Sequence, residues 1–354
     1  MRRFLSGKPG LMCAVVLAVL IGAAGCGASE EAASADSTES AELLQEDEEL
    51  AAYSDDYIVV GFAQVGSESD WRIASTESFK ETFTEENGYY LIFEDGQQEQ
   101  ENQLKAIREF ILQEVDYIIL DPIVETGWDA VLQEAKDAGI PVIIADRGVD
   151  VEDEDLYTCR VGSDFVGEGR NAALWLEAYL EEMGRSEEQI NLVTLLGTEG
   201  STARLGRSEG FDEILQTHEN WIMLDEQDGD FTQTKGLAVM ETFLELYDDI
   251  DVVICQNDNM AFGAIEAIEA AGRTCGPDGD IIIISFDAVS GALEAIIDGQ
   301  MHAVFECEPD QGPAVDEVIR QLEAGETVEK IIYVEETYFD YTMDLEEILM
   351  TRTY

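Results

Sequence analysis

The residues best placed to do chemistry in this chain are the polar ones that directly follow apolar runs. After the run 57–62 comes Gln64-Val65-Gly66-Ser67-Glu68-Ser69-Asp70-Trp71-Arg72. Asp146-Arg147 follows 142–145, Gln256-Asn257-Asp258 follows 252–255, and Asp287 follows 281–286. A carboxylate can accept from two hydroxyls, an Arg fork can donate to two oxygens, and an Asn amide can do both. Trp71 and Phe231 offer flat apolar faces of the kind that cover the C–H side of a sugar ring. This set suits a polyhydroxylated ligand. Each residue taken alone also has a local reading, because Asp and Asn at strand ends cap the next helix and Arg pairs with nearby acid. Convergence of several at one crevice is what favours binding.

Catalytic and metal chemistry find little material. His218 and His302 are the only histidines and lie far apart in sequence, so triad chemistry has little material and no catalytic residue is assigned. Gly167-Glu168-Gly169-Arg170-Asn171-Ala172 fits a loose dinucleotide fingerprint but lacks the preceding strand and the acidic partner, so close helix packing is the better reading. The acidic run Asp150, Glu152, Asp153, Glu154, Asp155 lacks the glycine and glutamate spacing of an EF-hand and reads as a solvated turn. No cofactor and no metal is expected.

The elements that position these residues alternate regularly. Strand-like runs at 57–62, 90–93, 117–120 and 142–145 are separated by helical spacing at 73–86, 104–115 and 128–138. A second series follows, with strands at 190–196, 222–225, 252–255 and 281–286 and helices at 203–217, 232–246 and 261–271. Nearly continuous apolar strands between helices predict parallel sheets covered on both faces. With 354 residues the chain exceeds what one core fills, so the fold class expected is α/β with two doubly wound parallel-sheet lobes. In such sheets ligands bind outside the carboxyl ends of the strands, where the polar residues above lie.

Composition limits the partners. Lys plus Arg total 19 against 78 Asp plus Glu, a formal net charge of -59, which repels a nucleic-acid backbone. At the start of the chain, Arg2, Arg3 and Lys8 precede an apolar stretch at 11–24, and Ala23-Ala24-Gly25-Cys26 closes it. That layout is similar to a bacterial lipoprotein signal with Cys26 as the lipidated residue, and it predicts export and anchoring to the cell membrane. Residues 27–56, rich in Ser, Ala, Glu and Asp, cannot bury enough surface to offset chain entropy and read as an acidic tether. Cys159, Cys255, Cys275 and Cys307 remain in the mature protein; their spacing matches no zinc pattern, and buried free thiols are favoured over disulfides.

From about Tyr57 onward the chain resembles the type I periplasmic binding proteins of sugar ABC transporters, and within them the galactofuranose-binding branch. The resemblance is carried by residues 59–69 with Trp71-Arg72, by Asp95-Gly96-Gln97-Gln98 with Gln100-Glu101-Asn102-Gln103, and by Thr126-Gly127-Trp128. It continues through Asp146-Arg147, Gly229-Asp230-Phe231-Thr232 with Lys235-Gly236, and Gln256-Asn257-Asp258. It implies that Ser67, Trp71, Arg72, Asp146 and Arg147 bind ligand from the first lobe, and Arg207, Phe231, Asn257 and Asp287 from the second, with Arg204 a neighbour. Ribose binders place a glutamine near the later crossing between lobes, where this chain has Cys307 preceded by Glu306, a departure that argues against ribose. The resemblance further implies an N-terminal lobe from 57–161 and 308–335, a C-terminal lobe from 162–307 and 336–354, and a three-crossing hinge. It implies a monomer that captures a monosaccharide, galactofuranose-like or a related aldose, and delivers it to a permease. A sugar-sensing protein serving a chemoreceptor or kinase is the alternative; an extracellular sugar-processing enzyme would need a catalytic carboxylate pair with defined separation.

Overall fold

The computed structural model describes residues 57–354. The signal, Cys26 and the tether lie outside the described residues. Strands of the first sheet are β1 (Ile58–Gln64), β2 (Tyr89–Asp95), β3 (Tyr117–Leu120), β4 (Val142–Ala145) and β5 (Cys159–Gly162), and β11 (Ile331–Tyr333) returns to its edge. They lie in the order β2-β1-β3-β4-β5-β11, every pairing parallel. The second sheet uses β6 (Ile190–Leu196), β7 (Trp221–Asp228), β8 (Val252–Cys255), β9 (Ile282–Asp287), β10 (Ala303–Glu306) and β12 (Tyr338–Asp340). Its order, β7-β6-β8-β9-β10-β12, repeats the first, except that β12 runs antiparallel to β10.

Neighbouring residues of a strand enter opposite cores, which is why these runs are apolar throughout. In β3, Ile118 and Leu120 join one cluster with Phe110, Trp128 and Leu132, while Tyr117 and Ile119 join another with Phe62, Phe79 and Val315. Sheet two divides the same way, Val253 and Ile283 facing Phe243 and Met260, and Val252 and Ile282 facing Leu176 and Phe211. The two-faced burial predicted for parallel sheets is therefore present in both lobes.

Ten helices cover the faces among the described residues: α1 (Asp70–Thr82), α2 (Gln100–Leu112), α3 (Asp129–Ala138), α4 (Phe165–Glu182), α5 (Thr202–Leu215), α6 (Gln233–Leu246), α7 (Asp258–Ala270), α8 (Ser290–Ile297), α9 (Gly312–Glu323) and α10 (Leu345–Leu349). Two details position the site. The Ser69 hydroxyl caps α1 by accepting the Arg72 N–H, so α1 begins at Asp70 rather than at the predicted residue 73. Trp71 and Arg72 consequently sit in the first helical turn, over the end of β1. The glycine-rich stretch 167–172 lies inside α4, where a Cβ at Gly169 would collide with the Arg207 carbonyl and one at Gly210 with the Val166 carbonyl. Close packing of α4 on α5, the reading favoured from sequence, therefore seats Arg207.

The chain passes between the sheets three times, after β5, after β10 and after β11. The lobes also touch at their rims. Gly148 donates its N–H to Thr202 Oγ1 at 2.7 Å, Glu125 to the Gly200 carbonyl at 2.9 Å, and Asp70 to Asn259 Oδ1 at 3.0 Å. These contacts on opposite sides of the crevice make this a closed arrangement.

Candidate functional site

The order 2-1-3-4-5 puts a topological switch between β1 and β3 in one lobe and between β6 and β8 in the other, and the two switch points face each other. Between them lies a narrow cavity of about 20 Å³ lined by residues from both lobes, including Glu68, Trp71, Arg72, Asp146 and Arg147 from the first and Arg207, Phe231, Asn257 and Asp287 from the second. In this closed arrangement the side chains nearly fill the crevice, so a ligand larger than water needs the lobes or these side chains to move apart.

Eight of the nine residues proposed from sequence meet here. Ser67 does not: it is exposed, and Ser69 lines the space instead. The physical reason is the helix cap, which turns Ser69 inward and leaves Ser67 in the loop. Glu68, Phe165, Ala203 and Cys307 also line the space and were not among the nine. Arg204 binds Asp228 at 3.0 Å and the Gly197 carbonyl at 3.1 Å, outside the crevice. Glu306 is likewise turned away, accepting from Arg352 Nη1 at 2.6 Å.

Three guanidinium groups dominate the floor. Arg72 donates from Nε to Glu68 at 3.0 Å, from Nη2 to Asp146 at 3.0 Å, and from Nη1 to Asp121. Arg147 donates to the Ile123 carbonyl at 3.1 Å and reaches Glu68 at 3.5 Å, and its guanidinium stands 5.2 Å over the Phe231 ring of the other lobe. Arg207 donates from Nε to Glu168 at 2.7 Å, from Nη2 to Asp287 at 3.4 Å, and from Nη1 to the Gln256 carbonyl. Asp121, like the residues noticed from sequence, directly follows an apolar strand; the strand-end rule applied to β3 would have found it.

Aromatic groups close the walls. Trp71 lies under Arg72 at 4.7 Å and donates its indole N–H to the Cys307 carbonyl at 2.6 Å, tying α1 to the second chain crossing. Phe231 fits because position 197 is glycine; a Cβ there would overlap its ring. Asn257 accepts the Met260 N–H at 2.9 Å as the cap of α7 and donates to the Phe231 carbonyl at 3.0 Å, so it positions that aromatic as well as lining the space.

The backbone is strained where these residues sit. Asp146, Phe231 and Asp287 hold φ of 54, 56 and 103°, a region non-glycine residues rarely occupy. Arg160 holds the first of them, donating Nε and Nη2 to the Asp146 carbonyl at 2.9 and 2.7 Å. Positive φ at bulky residues costs on the order of 1–3 kcal/mol each and persists where it serves a site.

Burial dominates the electrostatics of the site. Burial pushes the Asp121 carboxyl up to about 8 against the pull of Arg72, with Asp146 adding to the rise. Burial also raises Asp287 well above the carboxylate range, despite Arg207, and raises Asp258 to about 7. Burial tends to lower Arg72, but Asp121, Glu68 and Asp146 outweigh it and hold the guanidinium charged. Glu68 Oε2 and Arg147 Nε, both on lining residues, are buried without a hydrogen-bond partner, at a cost of about 1–3 kcal/mol apiece.

These shifts predict a pH dependence. A carboxyl whose folded pKa is raised makes the folded state hold a proton the unfolded chain releases, so its stabilisation is full below about 4 and is lost as pH rises through its folded pKa. His302, lowered from 6.5 to about 4 by burial, acts oppositely, but only below 6.5. Between pH 6.5 and 8 the carboxyls alone act, and each contributes up to about 1.4 kcal/mol per pH unit. The urea midpoint is expected to fall across that window by an amount equivalent to at least about 2 kcal/mol, the contribution of a single such carboxyl, and Asp258→Asn should reduce the fall. A midpoint that holds steady or rises would remove the protonated carboxyls from the account.

Two lobes of matching strand order, joined by three crossings and closed on a polar crevice, define a clasping binding protein. The chain belongs to the periplasmic binding protein family, whose domain matches residues 60–327. It is similar to the galactofuranose-binding protein YtfQ of Escherichia coli, 41% identical over 80% of this chain and 87% of the relative. Among solved structures it is similar to a Mycobacterium smegmatis protein in complex with β-D-fucofuranose, at 42% identity and TM-score 0.77, covering 83% of this chain and 96% of that one. It is also similar to the binding component of the arabinose ABC transporter of Shewanella sp. ANA-3, bound to α- and β-L-arabinofuranose, at 38% identity and TM-score 0.75, covering 84% and 99%. These relatives are binding proteins of transport systems and not enzymes, and this chain is a binding protein of their kind.

The four cysteines of the described residues are free thiols, three of them buried and Cys275 half-buried, as favoured from sequence.

Proposed function

We propose that this protein is the substrate-binding lipoprotein of a sugar ABC importer, and that its ligand is a neutral monosaccharide in furanose form, galactofuranose or a related aldose. The observation that carries this is the crevice itself: Arg72, Arg147 and Arg207 interleaved with Glu68, Asp146 and Asp287, walled by Trp71 and Phe231. The carboxyl groups accept from the ligand's hydroxyls, while the guanidinium groups serve the ring and hydroxyl oxygens. The furanose reading is supported by the relatives, three of which are named for or bound to five-membered-ring sugars.

Closure is the mechanism. Sugar entering an open cleft touches both lobes only when they close, so its differential affinity shifts the population to the closed form. The segments after β5, β10 and β11 act as the hinge, dividing the chain into an N-terminal lobe of 57–161 and 308–335 and a C-terminal lobe of 162–307 and 336–354. The closed form docks on the permease as a monomer, held nearby by lipid on Cys26 and the acidic tether.

The test is a thermal-shift panel of methyl galactofuranoside, methyl galactopyranoside, L-arabinose, ribose and an amino acid. A ligand that binds only the folded state at 100 times its Kd stabilises by about 2.7 kcal/mol. The furanoside and arabinose are expected to raise Tm by several degrees and the pyranoside not to. A shift from the amino acid with none from any sugar would sink the reading; a shift from the pyranoside alone would overturn the ring form.

A further inference from the structure

We propose that Glu168, Cys307 and Glu336 form a binding site for a divalent metal ion of the zinc class, at the junction of the three chain crossings. Cys307 follows β10, Glu336 stands between β11 and β12, and Glu168 projects from the first turns of α4, just beyond the crossing that contains Ser163. One ligand atom from each of the three lies within 4.8 Å of the others. Ser163 binds the same cluster, its hydroxyl donating to Glu336 and lying 3.3 Å from Cys307 Sγ. Every crossing therefore supplies a group to one point.

Glu168 supplies the second, independent sign of a ligand. It is 5% exposed, its Oε2 is taken by Arg207, and its Oε1 is buried with no partner. A carboxylate oxygen so placed costs more than a neutral group to leave unsatisfied. Tetrahedral zinc, with Zn–S of about 2.3 Å and Zn–O of about 2.0–2.2 Å, sets neighbouring ligands roughly 3.5 Å apart, within reach of small side-chain rotations. A thiolate with two carboxylates selects this class over calcium or magnesium, which require more oxygens than the cluster holds. Charge also balances: a divalent ion with the Arg207 guanidinium offsets two carboxylates and a thiolate. Access comes from a groove of about 600 Å³ lined by Glu168 and Glu336, while Cys307 lines the sugar crevice, so the ion would lie between the two. The ion would pin the three crossings together whatever the sugar is.

The experiment titrates the chelator-treated full chain with zinc chloride by calorimetry and with cobalt chloride by absorption. One strong zinc equivalent is expected, and a thiolate-to-cobalt charge-transfer band that Cys307→Ser abolishes and Cys275→Ser keeps. Weak uptake equal to that of calcium, or a band that survives Cys307→Ser, would overturn the site. Should Cys307→Ser fail to fold, Glu336→Gln keeps the thiol and is expected to weaken zinc binding about tenfold or more; unchanged affinity there overturns the proposal as well.

Discussion

Arg207→Ala is expected to weaken sugar binding by about 100-fold or more, with a smaller loss of folding stability. Of the five guanidinium N–H groups, three are committed to Glu168, Asp287 and the Gln256 carbonyl, leaving two for the crevice. Hydrogen bonds from a charged donor contribute about 1.5–3 kcal/mol each, and 1.4 kcal/mol is a factor of ten in Kd. The alanine variant also strands Glu168 and Asp287 beside each other, so a conservative partner separates binding from folding. Arg207→Lys keeps the charge but not the fork, and should melt near the parent while still binding at least about tenfold more weakly. Calorimetric Kd values for both variants, beside their thermal midpoints, make the check. Binding by the lysine variant within threefold of the parent, about 0.6 kcal/mol, would mean that Arg207 serves the fold and not the ligand.

The second large effect concerns Arg72, where removal should damage the fold before it damages binding. Its guanidinium is surrounded by Glu68, Asp121 and Asp146, all buried, and only Arg147 would remain to answer their charge. Breaking one side of a buried ion network costs about 3–5 kcal/mol because uncompensated charge is left behind. Arg72→Met, which preserves volume, is expected to lower unfolding stability by about that amount at neutral pH, and to recover part of it as acid protonates the stranded carboxyls. A urea midpoint within error of the parent at pH 7 would show that the network around Arg72 does not hold the fold. The two arginines thus differ in degree: Arg72 is bonded to three buried carboxyls, Arg207 to two and a backbone carbonyl.

That difference was invisible in the residues alone. Both are arginines near strand ends, and both match the pattern expected of ligand contacts. What separates them is how many carboxylates the surrounding strands deliver to each, which depends on the spatial order β1-β3-β4 in one lobe and on the α4–α5 packing in the other. The serine choice turns on a similarly local event. Ser67 and Ser69 are equivalent by composition and spacing, and the cap at Ser69 decides which faces inward.

Some elements escaped the sequence reading for identifiable reasons. Strand β5 carries an Arg and a Gly among its four residues, β10 is equally short, and β11 is an exposed edge, so none shows a clear apolar period. The positive φ angles at Asp146, Phe231 and Asp287 have no composition signal either, since none of these positions is glycine. Arg160 carries no sign in sequence that it clamps the Asp146 carbonyl.

The amino-acid sequence by itself determined the α/β class, the two repeated windings and the polar strand ends, because apolar periodicity and the residue after each run depend only on neighbours along the chain. Tertiary structure alone decided which polar groups meet and how many carboxyls surround each guanidinium group. It also decided that Ser163, Cys307 and Glu336, distant in sequence, converge at the crossings. Those are matters of sheet order and helix approach, where a displacement of an ångström separates an ion pair from an orphaned charge.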